Sequence, residues 1–177
     1  MSGVEQTYDT GAGASGETGG DPVLPALTPQ LLAAYLATEV VDGTGVVWSG
    51  VDALDLLEAC WVITADNPFS EVRDAAQNAA ANERLVASIR AAGFVTTPLV
   101  GRARDESWSE ACVAVRGPSD EQIRAWGREH RQHAVFRLTG DRHDVVSCWG
   151  AGTLAARARV LRTGGADSGD TPIRDIM

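Results

Sequence analysis

No lysine occurs in the 177 residues; all 15 basic side chains are arginines. That excludes every chemistry requiring an ε-amine, including Schiff bases, pyridoxal phosphate attachment and the phosphate-binding lysine of a P-loop. Cysteine is also scarce. Cys60, Cys112 and Cys148 form no CxxC, and three cannot all pair within one chain, so reduced, buried thiols are expected. No apolar run approaches the roughly 18 to 20 residues of a bilayer-spanning helix, and the first residues lack the charged-then-apolar layout of a signal peptide, so a cytoplasmic protein without membrane association is expected. A G-x-S-x-G nucleophile elbow is missing, and no motif calls for a cofactor. His130 and His133 form an HxxH, but the helix is expected to end between them, so no metal site is assigned.

What the chain has is acid, with a net charge of −9. Much of it lies in two tails. Residues 1–25 hold Glu5, Asp9, Glu17 and Asp21 in a glycine-rich stretch, and residues 163–177 hold Asp167, Asp170 and Asp175 against Arg174. Both compositions favour disorder, with Thr171 to Met177 a short segment open to a partner or to fraying. The body between them, 26–162, is nearly balanced in charge and reads as a single domain. Such a surface offers a phosphate backbone no general attraction, so nucleic acid is disfavoured as a partner.

Thr28-Pro29 followed by Leu31, Leu32, Tyr35 and Leu36 predicts a helix over 29–38. Val46 to Trp48 is a short strand, and Val51 to Ala59 carries helix-like apolar spacing. Cys60 to Ala65 is a strand ended by the turn former Asp66-Asn67-Pro68. Ser70 and Gly93 bracket a long helix over 71–92, whose expected apolar stripe of Val72, Ala75, Ala79, Val86 and Ile89 is interrupted by Asn82. Strands over 95–102 and 108–116 form a hairpin, with Pro98 arguing for an edge position. A two-residue period places Trp108, Glu110, Cys112 and Ala114 on one face. Ser119 and Gln122 form a capping box for a helix ending near Arg131. Strands over 133–138 and 145–149 follow, and 156–162 fits either periodicity.

From residue 60 the order is β-α-β-β-α-β with one further strand. This predicts an α+β fold of the ferredoxin-like, split βαβ kind with an N-terminal helical extension.

Several segments together resemble the bacterial family known as domain of unknown function 3293 (DUF3293), over roughly residues 30–150. They are Ala34 to Glu39, Ile63 to Pro68 with the following Ser70, Asn82 before Leu85, Trp108-Ser109-Glu110, and Gln132 to Val135. Their order and spacing carry the resemblance. The chain departs from the family pattern at Val40, where tyrosine is usual, and at His133, where asparagine is common. The resemblance implies relatives and no particular reaction.

Asn67, Asn82, Glu110 and Gln132 come from the end of one strand, a helix, a second strand and the start of a third, and the split βαβ arrangement makes those strands neighbours. With Trp108 they form the expected ligand-binding set, in which amides read a polar small molecule and Glu110 accepts. The amides also have a structural role open to them, organising the Asn-Pro turn and strand ends. The sequence favours a non-catalytic binding or regulatory domain for an unidentified small molecule or protein partner. An adaptor of the second kind should expose Trp48, Trp108 or Trp149. The alternative is a small hydrolase or transferase with Glu110 as general base and His133 as its helper. Further arrangements are a Ser70-His-Asp66 triad, an Asp66/Glu110 carboxylate pair, and a phosphate site built from Arg102, Arg104 or Arg157.

Overall fold

The computed structural model describes residues 27–50, 53, 58–150 and 152–158. The expected tails 1–25 and 163–177 lie outside the described residues, as does most of the helix expected over 51–59. Among the described residues, three α-helices, α1 (Pro29–Ala37), α2 (Ala75–Ala91) and α3 (Asp120–Glu129), accompany eight strands. The strands are β1 (Glu39–Val41), β2 (Val47–Ser49), β3 (Cys60–Ile63), β4 (Thr96–Arg102), β5 (Ser109–Val115), β6 (Ala134–Leu138), β7 (Arg142–Ser147) and β8 (Thr153–Ala158). They form one sheet in the order β2-β1-β4-β5-β3-β6-β7-β8, in which every neighbouring pair is antiparallel. The protein is thus a mixed α/β fold.

Alternation along the central strands divides the core in two. Trp61, Ile63, Val113, Val115 and Val135 point to one face, where Ala81, Leu85 and Ile89 of α2 and Ile123 of α3 cover them. Cys60, Val62, Cys112, Ala114, Leu99 and Leu138 point to the other, where they meet Val40. That second face is closed by curling of the sheet. Ser49 Oγ of β2 lies 2.6 Å from His143 Nδ1 of β7, and Arg157 of β8 donates to the Thr38 carbonyl at 3.1 Å. Strands from opposite ends of the sheet therefore meet across the concavity. α1 packs against β7 and β8, with Tyr35 edge-on to Phe136 at 6.2 Å between ring centroids.

Several expectations shift by a few residues for identifiable reasons. α2 starts at Ala75, and its cap is the Asp74 carboxylate, which accepts from Gln77 N at 2.8 Å. Ser70 cannot cap it, because Pro68–Ser70 form a 3₁₀ turn in which Ser70 has φ 60. The buried stripe of α2 is Ala81, Leu85 and Ile89, while Val72 precedes the helix and is 91% exposed. Pro98 does not mark an edge strand, since β4 lies between β1 and β5. β1, however, pairs only with Val100, Gly101 and Arg102, so the missing N–H of Pro98 disrupts no ladder on that side. The three-residue β1 is not legible as a strand in sequence. The ambiguous 156–162 stretch contributes to β8 through residue 158.

Candidate functional site

β3 and β5 stop pairing through their backbones after Ile63↔Val113, and side chains from the Thr64–Asn67 turn take over. Thr64 Oγ1 donates to the Ala111 carbonyl at 2.6 Å, and the Asp66 carboxylate accepts from Ala111 N at 3.0 Å. Asn82 reaches up from α2, accepting from Ala65 N at 2.8 Å and donating to Asp66 at 2.5 Å. Gln132 donates to the Asp66 carbonyl at 2.9 Å. The turn is therefore pinned from a helix, a strand and a strand entry.

The same network aims one carboxylate. Asn67 sits in the left-handed region at φ 46, a conformation that asparagine tolerates better than most residues. Its Nδ2 donates to Glu110 Oε1 at 2.9 Å, while its Oδ1 accepts from Arg73 N at 2.9 Å and from Asn78 Nδ2 at 3.0 Å. Phe69 and Ser70 also have positive φ, at 53 and 60. Three such residues within four positions store strain that the surrounding hydrogen bonds must offset.

Glu110 opens into a cleft on the concave face, lined among others by Tyr35, Asn67, Ser70, Trp108 and Gln132. Gly101 stands directly opposite Glu110 in the β4–β5 pair, and the missing side chain leaves room beside the carboxylate. Val62, Cys112 and Phe136 supply an apolar floor and wall. Tyr35 OH and Ser70 Oγ share a hydrogen bond of 2.9 Å at the rim, and Trp108 is 36% exposed. Burial raises the Glu110 pKa, the nearby Asp66 charge raises it further, and the Asn67 amide opposes them. Burial also raises Asp66, against the Ala111 and Asn82 hydrogen bonds. Tyr35 is raised chiefly by burial, and the Cys112 thiol is pushed up by burial to about 12, leaving it protonated and inert.

Of the expected set, Asn67, Trp108, Glu110 and Gln132 line the cleft together. Asn82 stands behind it, holding the turn. His133 is buried beside it, with its ring 5.3 Å from Phe69, and burial lowers its pKa. It is absent from the lining, so the structure does not bring it to Glu110. Ser70 has Tyr35 as its side-chain partner, and Asp66 is engaged by Asn82 and Ala111, so the two do not assemble a triad with His130 or His133. Arg102 and Arg104 face Glu39 at 3.5 and 4.0 Å, and Arg157 contacts His143 and Thr38; none lines the cleft. Among the described residues no group of three metal-ligating side chains forms. Their three cysteines are buried and free, as expected. No helix among them is long and apolar enough to cross a membrane.

Tyr35 is not among the site residues expected from the sequence, and Ser70 enters there only as the nucleophile of a triad. The signal that could have found them was the resemblance itself, because its segments contribute Tyr35, Thr64, Asn67, Ser70, Trp108, Glu110 and Gln132 to one cleft.

That resemblance is borne out: residues 63–135 match the family model described as "Protein of unknown function (DUF3293)", a shorter stretch than the sequence suggested. No curated protein and no solved structure matches the chain.

Proposed function

We propose that the protein is a non-catalytic binding domain that holds a small molecule in the cleft beside Glu110. The observation that carries this is the fixed carboxylate at the mouth of an apolar-walled cleft: its Oε1 is held by Asn67, and Asn67 has its own Oδ1 committed to Arg73 N and Asn78. Prior immobilisation of a polar group lowers the entropy cost of binding. Trp108, one of the tryptophans expected to be exposed on an adaptor, lines this cleft, which favours a small ligand over a protein surface. A split βαβ reading of β4-β5-β3-β6, with α2 and α3 packed on one face, is compatible with this, because the cleft opens on the other, concave face, which the curled sheet otherwise fills with its second core.

A thermal-shift screen of nucleotides and metabolites against native protein and Glu110→Gln tests it. A compound that stabilises the native protein and not the variant supports the reading. Stabilisation by compounds that ignore both Glu110→Gln and a cleft-filling Gly101→Val would remove it.

One observation favours the second reading, a hydrolase or transferase using Glu110 as general base. The raised Glu110 pKa moves that carboxylate toward the range useful for proton transfer. Turnover of a screened compound, lost in Glu110→Gln while binding persists, would select it.

A further inference from the structure

We propose that the ligand of this cleft carries a protonated amine that pairs with Glu110, attached to an apolar or aromatic body. The inference rests on the cleft being a small-molecule site and names the chemical class it takes.

Charge decides the class. Among the described residues lining the cleft there is no arginine or histidine, and the chain has no lysine. Glu110 forms no ion pair with a described residue, and its nearest charged influence is the like charge of Asp66. Asp66 is itself held by neutral donors, Asn82 and the Ala111 amide. Two carboxylates without a cation between them make the local potential negative. A carboxylate or phosphate ligand would add a third negative group in a partly water-excluded space. An ammonium offsets the burial cost of Glu110 and supplies the charge that no side chain here provides.

The walls agree with the charge. Trp108, Tyr35 and Phe136 line the same cleft as the acid, and aromatic faces attract cations. Val62 and Cys112 give the rest of the ligand an apolar bed, while Gly101 opposite Glu110 leaves the head group its space. Asn67 Nδ2 commits one of its two hydrogens to Glu110, so what it could offer an anion is a single neutral N–H beside a carboxylate.

Three probes sharing one skeleton separate the classes: benzylammonium, benzyl alcohol and benzoate at millimolar concentration, each followed by Trp fluorescence and thermal midpoint. Benzylammonium is expected to bind the native protein, with affinity falling at least about tenfold in Glu110→Gln, as for loss of a charge-assisted hydrogen bond. Benzoate is expected not to bind. Gly101→Val keeps the carboxylate and fills the space beside it; its Cβ meets only Thr38 Cγ2, at 3.6 Å, an ordinary contact. That variant should lose benzylammonium as well. Benzylammonium binding unchanged by Glu110→Gln, or no benzylammonium binding, overturns the assignment. Binding of benzoate or the alcohol in preference to the amine, lost in Gly101→Val, also overturns it while leaving the cleft a ligand site. Binding of any probe untouched by Gly101→Val would place the site elsewhere and remove both conclusions.

Discussion

Asn67 donates its side-chain amide to Glu110 across the break between β3 and β5, at 2.9 Å, and does so from a left-handed backbone. The turn and the carboxylate are therefore one unit. Asn67→Ala removes the donor to Glu110, strands the Arg73 N–H and the Asn78 amide, and forces alanine into φ 46. The expected cost is about 2 to 4 kcal/mol, read as a fall in urea midpoint at unchanged slope. Asn67→Gly loses the same hydrogen bonds without the left-handed penalty, so it should be about 1 kcal/mol less harmful than alanine. Equal costs for the two would show that backbone strain plays no part.

Glu110 gives stability a pH dependence of definite sign. Its folded-state pKa lies above the ordinary carboxylate value, so the folded protein binds the proton more tightly than the unfolded chain. The associated stability is present in full below the unfolded value of about 4.3 and is lost as pH rises through the raised folded value. Glu110→Gln keeps an acceptor for Asn67 and has no proton to lose. Its urea midpoint relative to native protein should therefore rise with pH across that window and then level off. Asp66 is shifted in the same direction and remains in the variant, so the difference between the two proteins reports Glu110 together with its coupling to Asp66. A difference that falls with pH would contradict the burial of this carboxylate.

Gly127 of α3 is buried without needing an unusual backbone. A Cβ there would collide with the Cys148 side chain, while Val135 at 3.5 Å would be an ordinary contact. Helix propensity alone favours alanine over glycine by about 1 kcal/mol. Overpacking is expected to reverse that sign, so that Gly127→Ala destabilises by about 1 to 3 kcal/mol in equilibrium denaturation. The double variant Gly127→Ala/Cys148→Gly should regain part of the loss, and its failure to do so would place the clash elsewhere.

Residues whose local chemistry matched their tertiary role were legible in the sequence. Ser119 and Gln122 form both halves of the capping box they suggested, and the alternation of Trp108, Glu110, Cys112 and Ala114 survives as the concave face of β5. Ser70 and Asp74 both had cap-competent side chains, and tertiary contacts chose between them. The Asn67 network extends the turn to Asp74 and diverts Ser70 to Tyr35. β1 is three residues long and exists because β2 and β4 flank it, which no local period records. Asn67, Glu110 and Gln132 could be brought together on paper because strand order alone places them. His133 differs because it follows Gln132 by one residue, and its ring packs against Phe69 instead of facing the cleft. Tyr35 comes from a helix before the repeating β-α units, so its arrival at the cleft depends on how the sheet curls.

Asp144 supplies the opposite pH behaviour to Glu110. Its residue is 1% exposed, and its two oxygens are held separately, Oδ2 by Arg137 at 2.8 Å and Oδ1 by Arg142 at 2.9 Å. Burial alone would raise its pKa, but the two guanidinium groups outweigh burial and lower it. Its stability contribution is thus present above the unfolded value of about 3.9 and is lost as pH falls through the lowered folded value. Replacing one arginine by methionine leaves the carboxylate its second partner. Arg142→Met should cost about 1 kcal/mol, and Arg137→Met somewhat more, because Arg137 also lies over the Trp61 ring at 5.7 Å. Replacing both leaves a buried charge unpaired and should cost about 3 to 5 kcal/mol, more than the two single changes together. In that double variant, burial acts alone on Asp144 and reverses the sign. Acidification through the raised value should then recover stability relative to the native protein, measured as the urea midpoint across the acidic range. Additive single costs with no change of sign would mean that water reaches this carboxylate and that the arginines are only surface partners.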